Sequence, residues 1–280
     1  DEPDEVLRVV GDAVIASLSS KADEAPARDT TALWRLQGEY AFSTPCGREA
    51  LARRYATLLP LAEGGDGRAA QSVALLLYRG SGGAPLGGAS GGGSEESLAA
   101  SAGWHARAAC LGNLDGLATL AGCVRSGRGA PLDETRGVRV IEACAELGVP
   151  TGLNKLGALM ETGASGVVRD AYAAVELYEL AAEASGLGYE ERGGQCLGRF
   201  NLGWALVHGE GTVRDRAAGL EQWRKAAAMA PDDGAEEAAY NLYDELGDTD
   251  EGFEYLELSA DLGFDPALEK FEEFEEWYEE

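Results

Sequence analysis

Two histidines, four lysines and no long apolar run set the first limits on this 280-residue chain. A zinc site needs three or four convergent ligands, which His105 and His208 alone do not supply. No H-E-x-x-H or C-x-x-C run occurs, and the G-x-S-x-G spelling Gly88-Ala89-Ser90-Gly91-Gly92 falls inside a glycine-serine run with no strand or helix pattern to make a nucleophile elbow. The glycine-serine stretch 79–94 is the segment of lowest complexity, but no Gly-Lys-Ser/Thr ending opens a helix after it. It predicts a flexible loop rather than a phosphate cradle. Asp248 to Gly252 starts like a calcium loop, but Phe253 and Tyr255 break that pattern. Catalytic, cofactor and metal sites are therefore not expected, and neither is membrane insertion. The five cysteines follow no regular pairing and predict reduced thiols. Cys110, Cys123, Cys144 and Cys196 fall in helical patterns and are expected as small core residues. N-x-S/T sequons are missing, and the first residue is Asp1 rather than Met. These features predict a soluble intracellular protein in processed or trimmed form, organellar if a targeting peptide has been removed.

Basic residues are also scarce: 23 Lys and Arg against 49 Asp and Glu give a net charge of −26. Residues 231–280 carry twenty of the acids and one base, Lys270. Such a surface repels nucleic acid and anionic membrane and favours a basic protein partner. An acidic cap that keeps one end of the molecule soluble is the alternative reading. Acidic pairs such as Asp232-Asp233 are too common here to mark a site.

What the chain does have is one register, found five times. Counting from Asp215, a small residue falls four later (Gly219), a large one eight later (Trp223), and two small ones at eleven and twelve (Ala226, Ala227). Asp170 gives Ala174, Tyr178, Ala181 and Ala182; Asp133 gives Gly137, Ile141, Cys144 and Ala145. Asp248 gives Gly252, Leu256, Ser259 and Ala260; Ser97 gives Ser101, His105, Ala108 and Ala109. The anchors lie 36, 37, 45 and 33 residues apart, within the period of helix-pair solenoids. These offsets share one helix face, so the small residues predict close helix approach and the large one fills the gap. His105 is then a packing residue. Each anchor is expected to be an N-cap, and His208, just before Gly209, to sit at a helix C-terminus beside free carbonyls.

The pattern resembles the Sel-one-like repeat family, a relative of the tetratricopeptide repeats, whose signature reads L-G-x(5)-G-x-G-V-x-x-D before a helix with paired alanines. Leu202-Gly203 to Ala227 matches, with Thr212 at the valine position and Val213 after it. Leu156-Gly157 to Ala182, through Gly163, Gly166, Val167 and Asp170, matches with one residue inserted in the turn. Leu120-Ala121, Leu76-Leu77 and Leu242-Tyr243 begin degenerate copies. The resemblance spans roughly residues 67–264 and implies an all-α fold, a right-handed α–α superhelix (solenoid) of about five to six helix-turn-helix repeats. It also implies scaffold or adaptor work. An enzyme of the penicillin-binding kind proposed for bacterial relatives would need Ser-x-x-Lys, which does not occur around Lys21, Lys155, Lys225 or Lys270.

The ends read differently. Residues 1–20 predict an amphipathic helix with Val6, Leu7, Val10, Val14 and Leu18 on one side, and 21–29 a polar link. Residues 30–42 and 45–62 predict a capping hairpin, so 1–66 forms an N-terminal region before the array. Residues 265–280 predict an acidic helix with the aromatic stripe Phe271, Phe274, Trp277 and Tyr278 and the acids Glu272 and Glu273. That helix either caps the last repeat or docks into a basic, apolar groove of another subunit. The insertions 79–94 and 185–194 are expected as additional contact arms. Together these features predict a non-catalytic scaffold in a hetero-oligomeric assembly, with a transient peptide-binding adaptor as the alternative. An open polar groove favours the adaptor; a large apolar patch favours the permanent subunit.

Overall fold

A computed structural model describes residues 3–19, 47–78, 94–184, 192–230 and 234–270. Among them are thirteen α-helices and no strand. The chain enters as α1 (Pro3–Val6), a π-helical segment (Leu7–Gly11) and α2 (Asp12–Ser19) in one run, and resumes at α3 (Gly47–Glu63). Five hairpins follow: α4 (Gly67–Tyr78) with α5 (Glu95–Cys110), α6 (Leu114–Ser126) with α7 (Glu134–Glu146), α8 (Pro150–Thr162) with α9 (Ala171–Glu183), α10 (Arg192–His208) with α11 (Arg216–Ala227), and α12 (Ala235–Leu246) with α13 (Asp250–Asp261). Consecutive helices pack throughout, and residues 265–270 are helical again. The readings at 21–29, 30–42 and 79–93 lie outside the described residues, as do 185–191. Residues 192–194, read with the second insertion, form the first turn of α10.

The register is a packing register. Every residue at offsets four, eight, eleven and twelve is buried in all five hairpins. Size is traded inside each pair. A Cβ at Gly203 would sit 2.5 Å from the Trp223 ring, and one at Gly157 would sit 2.6 Å from the Tyr178 ring. Where the first helix carries Ala121, the facing large residue shrinks to Ile141, opposite Gly137. A second glycine, five residues before the first-helix position, joins one hairpin to the next. Gly116, Gly152 and Gly198 each abut the paired small residues of the preceding hairpin, at Ala108, at Cys144 with Ala145, and at Ala181 with Ala182.

The turns repeat as well. Gly127, Gly163 and Gly209 end the first helices in the left-handed region, where glycine carries no Cβ penalty. Asp133, Asp170 and Asp215 then cap the second helices, each accepting from the third amide at 3.0 Å. Two expected anchors are not caps. Ser94 caps α5 by accepting from Ser97 N at 3.2 Å. The helix therefore starts before Ser97, whose buried hydroxyl donates to Leu77 O. Thr249 caps α13, and Asp248 instead accepts from Tyr243 Oη at 3.3 Å. Burial fixes the register, while the local turn decides which residue caps.

Each second helix packs on the first helices before and after it, while first helices also touch one another: α6 with α8, α8 with α10, α10 with α12. Closer packing on that side bends the array toward the first helices, which line its inner curve. The acidic last hairpin is tied back by Arg216–Glu245 (2.6 Å) and Arg224–Glu251 (2.9 Å), exposed pairs that contribute little stability. Ala267 is buried, and Leu268 packs with Tyr243 and Leu256. Residues up to 270 therefore cover the last hairpin.

Candidate partner-binding surface on the first helices

Three polar contacts connect successive first helices. Gln71 Nε2 donates to Thr119 Oγ1 at 3.4 Å, from α4 to α6. Thr151 N donates to Asp115 Oδ1 at 3.0 Å, from α8 to α6. Asn201 Nδ2 donates to Asn154 Oδ1 at 2.8 Å, from α10 to α8. Lys155 lies over Gly122 of the preceding first helix, where a Cβ would be 3.2 Å from Nζ. Gln71, Thr119, Lys155 and Asn201 remain half-exposed. The inner curve thus carries a row of amide, hydroxyl and ammonium groups, suited to the backbone of an extended segment. His105 is fully buried behind it, with Nδ1 2.8 Å from Gln71 Oε1, the packing role its register position predicts.

Asp115 is the central group. Helix α8 starts at Val149-Pro150 with no side-chain cap of its own, and Asp115 supplies the acceptor from the neighbouring hairpin. Its second oxygen, Oδ2, has no hydrogen-bond partner among the described residues. Burial pushes its carboxyl up to about 6, against the opposing effects of Thr151 and Lys155. The folded state therefore holds this proton more tightly than the unfolded chain does. The resulting stability is present in full below about pH 4 and is lost as pH rises through about 6. Asp115→Asn keeps an acceptor for Thr151 and removes the charge. It is expected to raise stability at pH 7 by about 2–3 kcal/mol and to change it little at pH 3.5. Urea denaturation at both pH values checks this, and an equal loss at both would refute it.

The other candidates are placed as follows. Cys123, Cys144 and Cys196 are buried, whereas Cys110 is exposed. Cys110 is the last residue of α5, one position past the paired small residues, and has turned off the buried face. Burial, reinforced by Asp115, pushes the Cys144 thiol up to about 12, which removes its nucleophilic form at neutral pH. His208 does end α10, but its ring lies tilted against that of exposed Trp204, with centroids 4.2 Å apart. Phe271, Glu272, Glu273, Phe274, Trp277 and Tyr278 lie outside the described residues. Among those described, no group of three or more His, Cys, Asp or Glu could hold a metal ion, and no helix is long and apolar enough to cross a membrane. The cross-hairpin contacts of Asp115 and Asn154 were missed in the sequence. The signal was the uncapped start Val149-Pro150, because the free amides of a helix start must find acceptors somewhere.

Stacked helix hairpins with closely packed small residues and a polar inner curve define an α-solenoid interaction array. Residues 150–186, 197–231 and 237–264 match the Sel1 repeat family, so this part of the chain carries three Sel1 repeats. Repeats of this kind generally mediate protein–protein interactions. The α4–α5 and α6–α7 hairpins are built in the same register outside the matched residues. No match is found among curated proteins. A similar solved structure is that of c5321, a protective antigen of uropathogenic Escherichia coli with an SLR fold. It shows 22% identity and a TM-score of 0.43 over 76% of this chain. This chain spans 42% of that protein's length. Another is a Sel1 repeat protein from Oxalobacter formigenes, with 26% identity and a TM-score of 0.37 over 48% of this chain and 90% of that one.

Proposed function

We propose that this protein is a non-catalytic scaffold that holds an extended segment of a partner along the inner curve of its first helices. The observation that carries this is the half-exposed polar row Gln71, Thr119, Lys155 and Asn201, aligned across successive hairpins by the contacts described above. In this reading residues 67–264 form the array, 1–66 an N-terminal region and 265–280 an acidic C-terminal element. The exposed acids of the last hairpin, Asp244, Asp250, Glu251, Glu254 and Glu257, extend the surface toward a basic partner. Phe271, Phe274, Trp277 and Tyr278, with Glu272 and Glu273, would add a docking element of a larger hetero-oligomeric assembly.

A transient peptide-binding adaptor is the second reading, and the polar character of the inner row favours it. A pull-down from native extract at low and moderate salt separates the two. With Lys155→Ala and Asn201→Ala together, partner recovery is expected to fall at least fivefold. The fold should remain, with stability lowered by about 1–2 kcal/mol for the lost Asn154 contact. Full recovery of the partners would remove the inner row from the reading. A stoichiometric partner that survives moderate salt marks a permanent subunit; many partners that salt removes mark the adaptor.

A further inference from the structure

The inner curve changes character along the array. In each hairpin one first-helix residue faces the large residue of the second helix; Ala121, Gly157, Gly203 and Tyr243 hold that place. One residue later stand Gly122, Ala158, Trp204 and Asp244, and five later Ser126, Thr162, His208 and Asp248. All of these are exposed or half-exposed, on the side that carries Thr119, Lys155 and Asn201. Helices α6 and α8 offer only small side chains in these two rows. Helix α10 offers an indole and an imidazole, and α12 two carboxylates.

Trp204 contrasts with Trp223 next to it. The Trp223 indole is fully buried and donates to Phe200 O at 2.9 Å. The Trp204 ring lies 6.5 Å from it and 4.2 Å from that of His208, between centroids, yet Trp204 is 40% exposed. The fold makes no use of that open area. Helix α12 lies against α10 on this side: a Cβ at Gly234 would meet Leu197 Cδ2 at 3.0 Å, and Phe200, one turn before Trp204, packs on the cluster of Ala235, Ala238 and Leu242. The shared register then sets Asp244 and Asp248 beside Trp204 and His208, on helices whose axes are about 8–10 Å apart. Asp248 accepts from Tyr243 Oη, and Glu245 and Glu251 are paired with Arg216 and Arg224. The Asp244 carboxylate is exposed and enters no ion pair or hydrogen bond among the described residues. No Lys or Arg among them stands in either row. Lys155, on the α8 side, repels a cation and confines it to the α12 side.

We propose that the step from α10 to α12 is an arginine site, where the Trp204 ring stacks on a guanidinium of the partner's segment and Asp244 pairs with its N–H fork. A guanidinium fits better than an ammonium, because it is planar, stacks on an aromatic face and meets a carboxylate with two parallel donors. The negative face of an indole beside a free carboxylate excludes an anion from the same place. The site lies on the inner curve and so rests on the reading that a partner segment runs there; it names one side chain of that segment.

The test uses the full chain and a peptide of one arginine flanked by glycines, with the citrulline peptide as its neutral, planar counterpart. The Trp204 indole N–H is followed by NMR, its signal identified by its loss in Trp204→Leu. The arginine peptide is expected to shift that signal saturably, and the citrulline peptide to bind about tenfold more weakly. Asp244→Asn should weaken the arginine peptide about threefold with circular dichroism unchanged. Equal binding of the two peptides, no shift of the indole with the arginine peptide, or full affinity in Asp244→Asn overturns the site. A lysine peptide that binds as tightly as the arginine peptide also overturns it, since charge alone would then be read. In the pull-down, partner recovery unmoved by Trp204→Leu overturns the arginine site; if it still falls with Lys155→Ala and Asn201→Ala together, the inner row stands without it. Recovery that falls with Trp204→Leu and with Asp244→Asn, but not with the Lys155 and Asn201 pair, upholds the site and removes the polar row from the reading.

Discussion

Gly203→Ala is expected to destabilise the array by about 2–3 kcal/mol, and Trp223→Ile by about as much, while the two together cost less than either alone. The first change sets a methyl 2.5 Å from Trp223 Cδ1 and 3.0 Å from Gly219 O, inside a pair of helices with no room to separate. Overpacking of this kind costs about 1–3 kcal/mol or more. Helix propensity returns at most about 1 kcal/mol, because alanine is the better helix former. The second change empties much of the space of a fully buried indole and loses its Nε1 donation to Phe200 O at 2.9 Å. The combination recreates a solution the chain already uses: Ala121 and Ile141 face each other across Gly137 in the α6–α7 hairpin. A double-mutant cycle by urea denaturation should show a favourable coupling larger than the cost of either single change, about 3 kcal/mol or more. Additive costs would mean that the hairpins do not share one packing rule.

That rule was legible in the sequence because it is local. Offsets of four, eight, eleven and twelve lie on one helix face whatever the neighbours are, so the five hairpins and their buried positions follow from spacing alone. Caps were less legible. Asp133, Asp170 and Asp215 follow a Gly-containing turn of similar shape and do cap. Ser97 and Asp248 keep the packing register but follow different turns, and capping moves to Ser94 and Thr249. The candidate site was the hardest to read. Asp115 and Thr151 are 36 residues apart, and Asn154 and Asn201 are 47 apart. Only stacked hairpins bring them together. The packing of the N-terminal run on α5, α6 and α7 is also nonlocal, yet it left a trace: Ala106 and Val140 are apolar and buried at register positions that are exposed or half-exposed in other hairpins.

Gly211→Ala is the other change with a large expected effect, and Gly166→Ala is its control. Both residues are the second glycine of a turn, and both have positive φ, 66° at Gly211 and 76° at Gly166. Alanine in that conformation costs about 1–2 kcal/mol at either place. Their surroundings differ. Gly211 presses on the start of α9 in the preceding hairpin, where a Cβ would collide with the carbonyl of Ala171, and Gly129 presses in the same way on Leu98 in α5. Backbone cannot yield as a flexible side chain can, so the turn must lift off the neighbouring helix and open the contact between hairpins. Gly166 has nothing within 4 Å, because one inserted residue carries its turn clear of the helix. Thermal or urea unfolding should show a loss of roughly 3–5 kcal/mol for Gly211→Ala and only the conformational part for Gly166→Ala. Because a repeat array is stabilised through nearest-neighbour interfaces, the Gly211 change should also split unfolding into two transitions, with the α10 to α13 hairpins separating from those before them. Equal losses at the two glycines would show that φ alone explains the effect and that the turn does not hold the hairpins together.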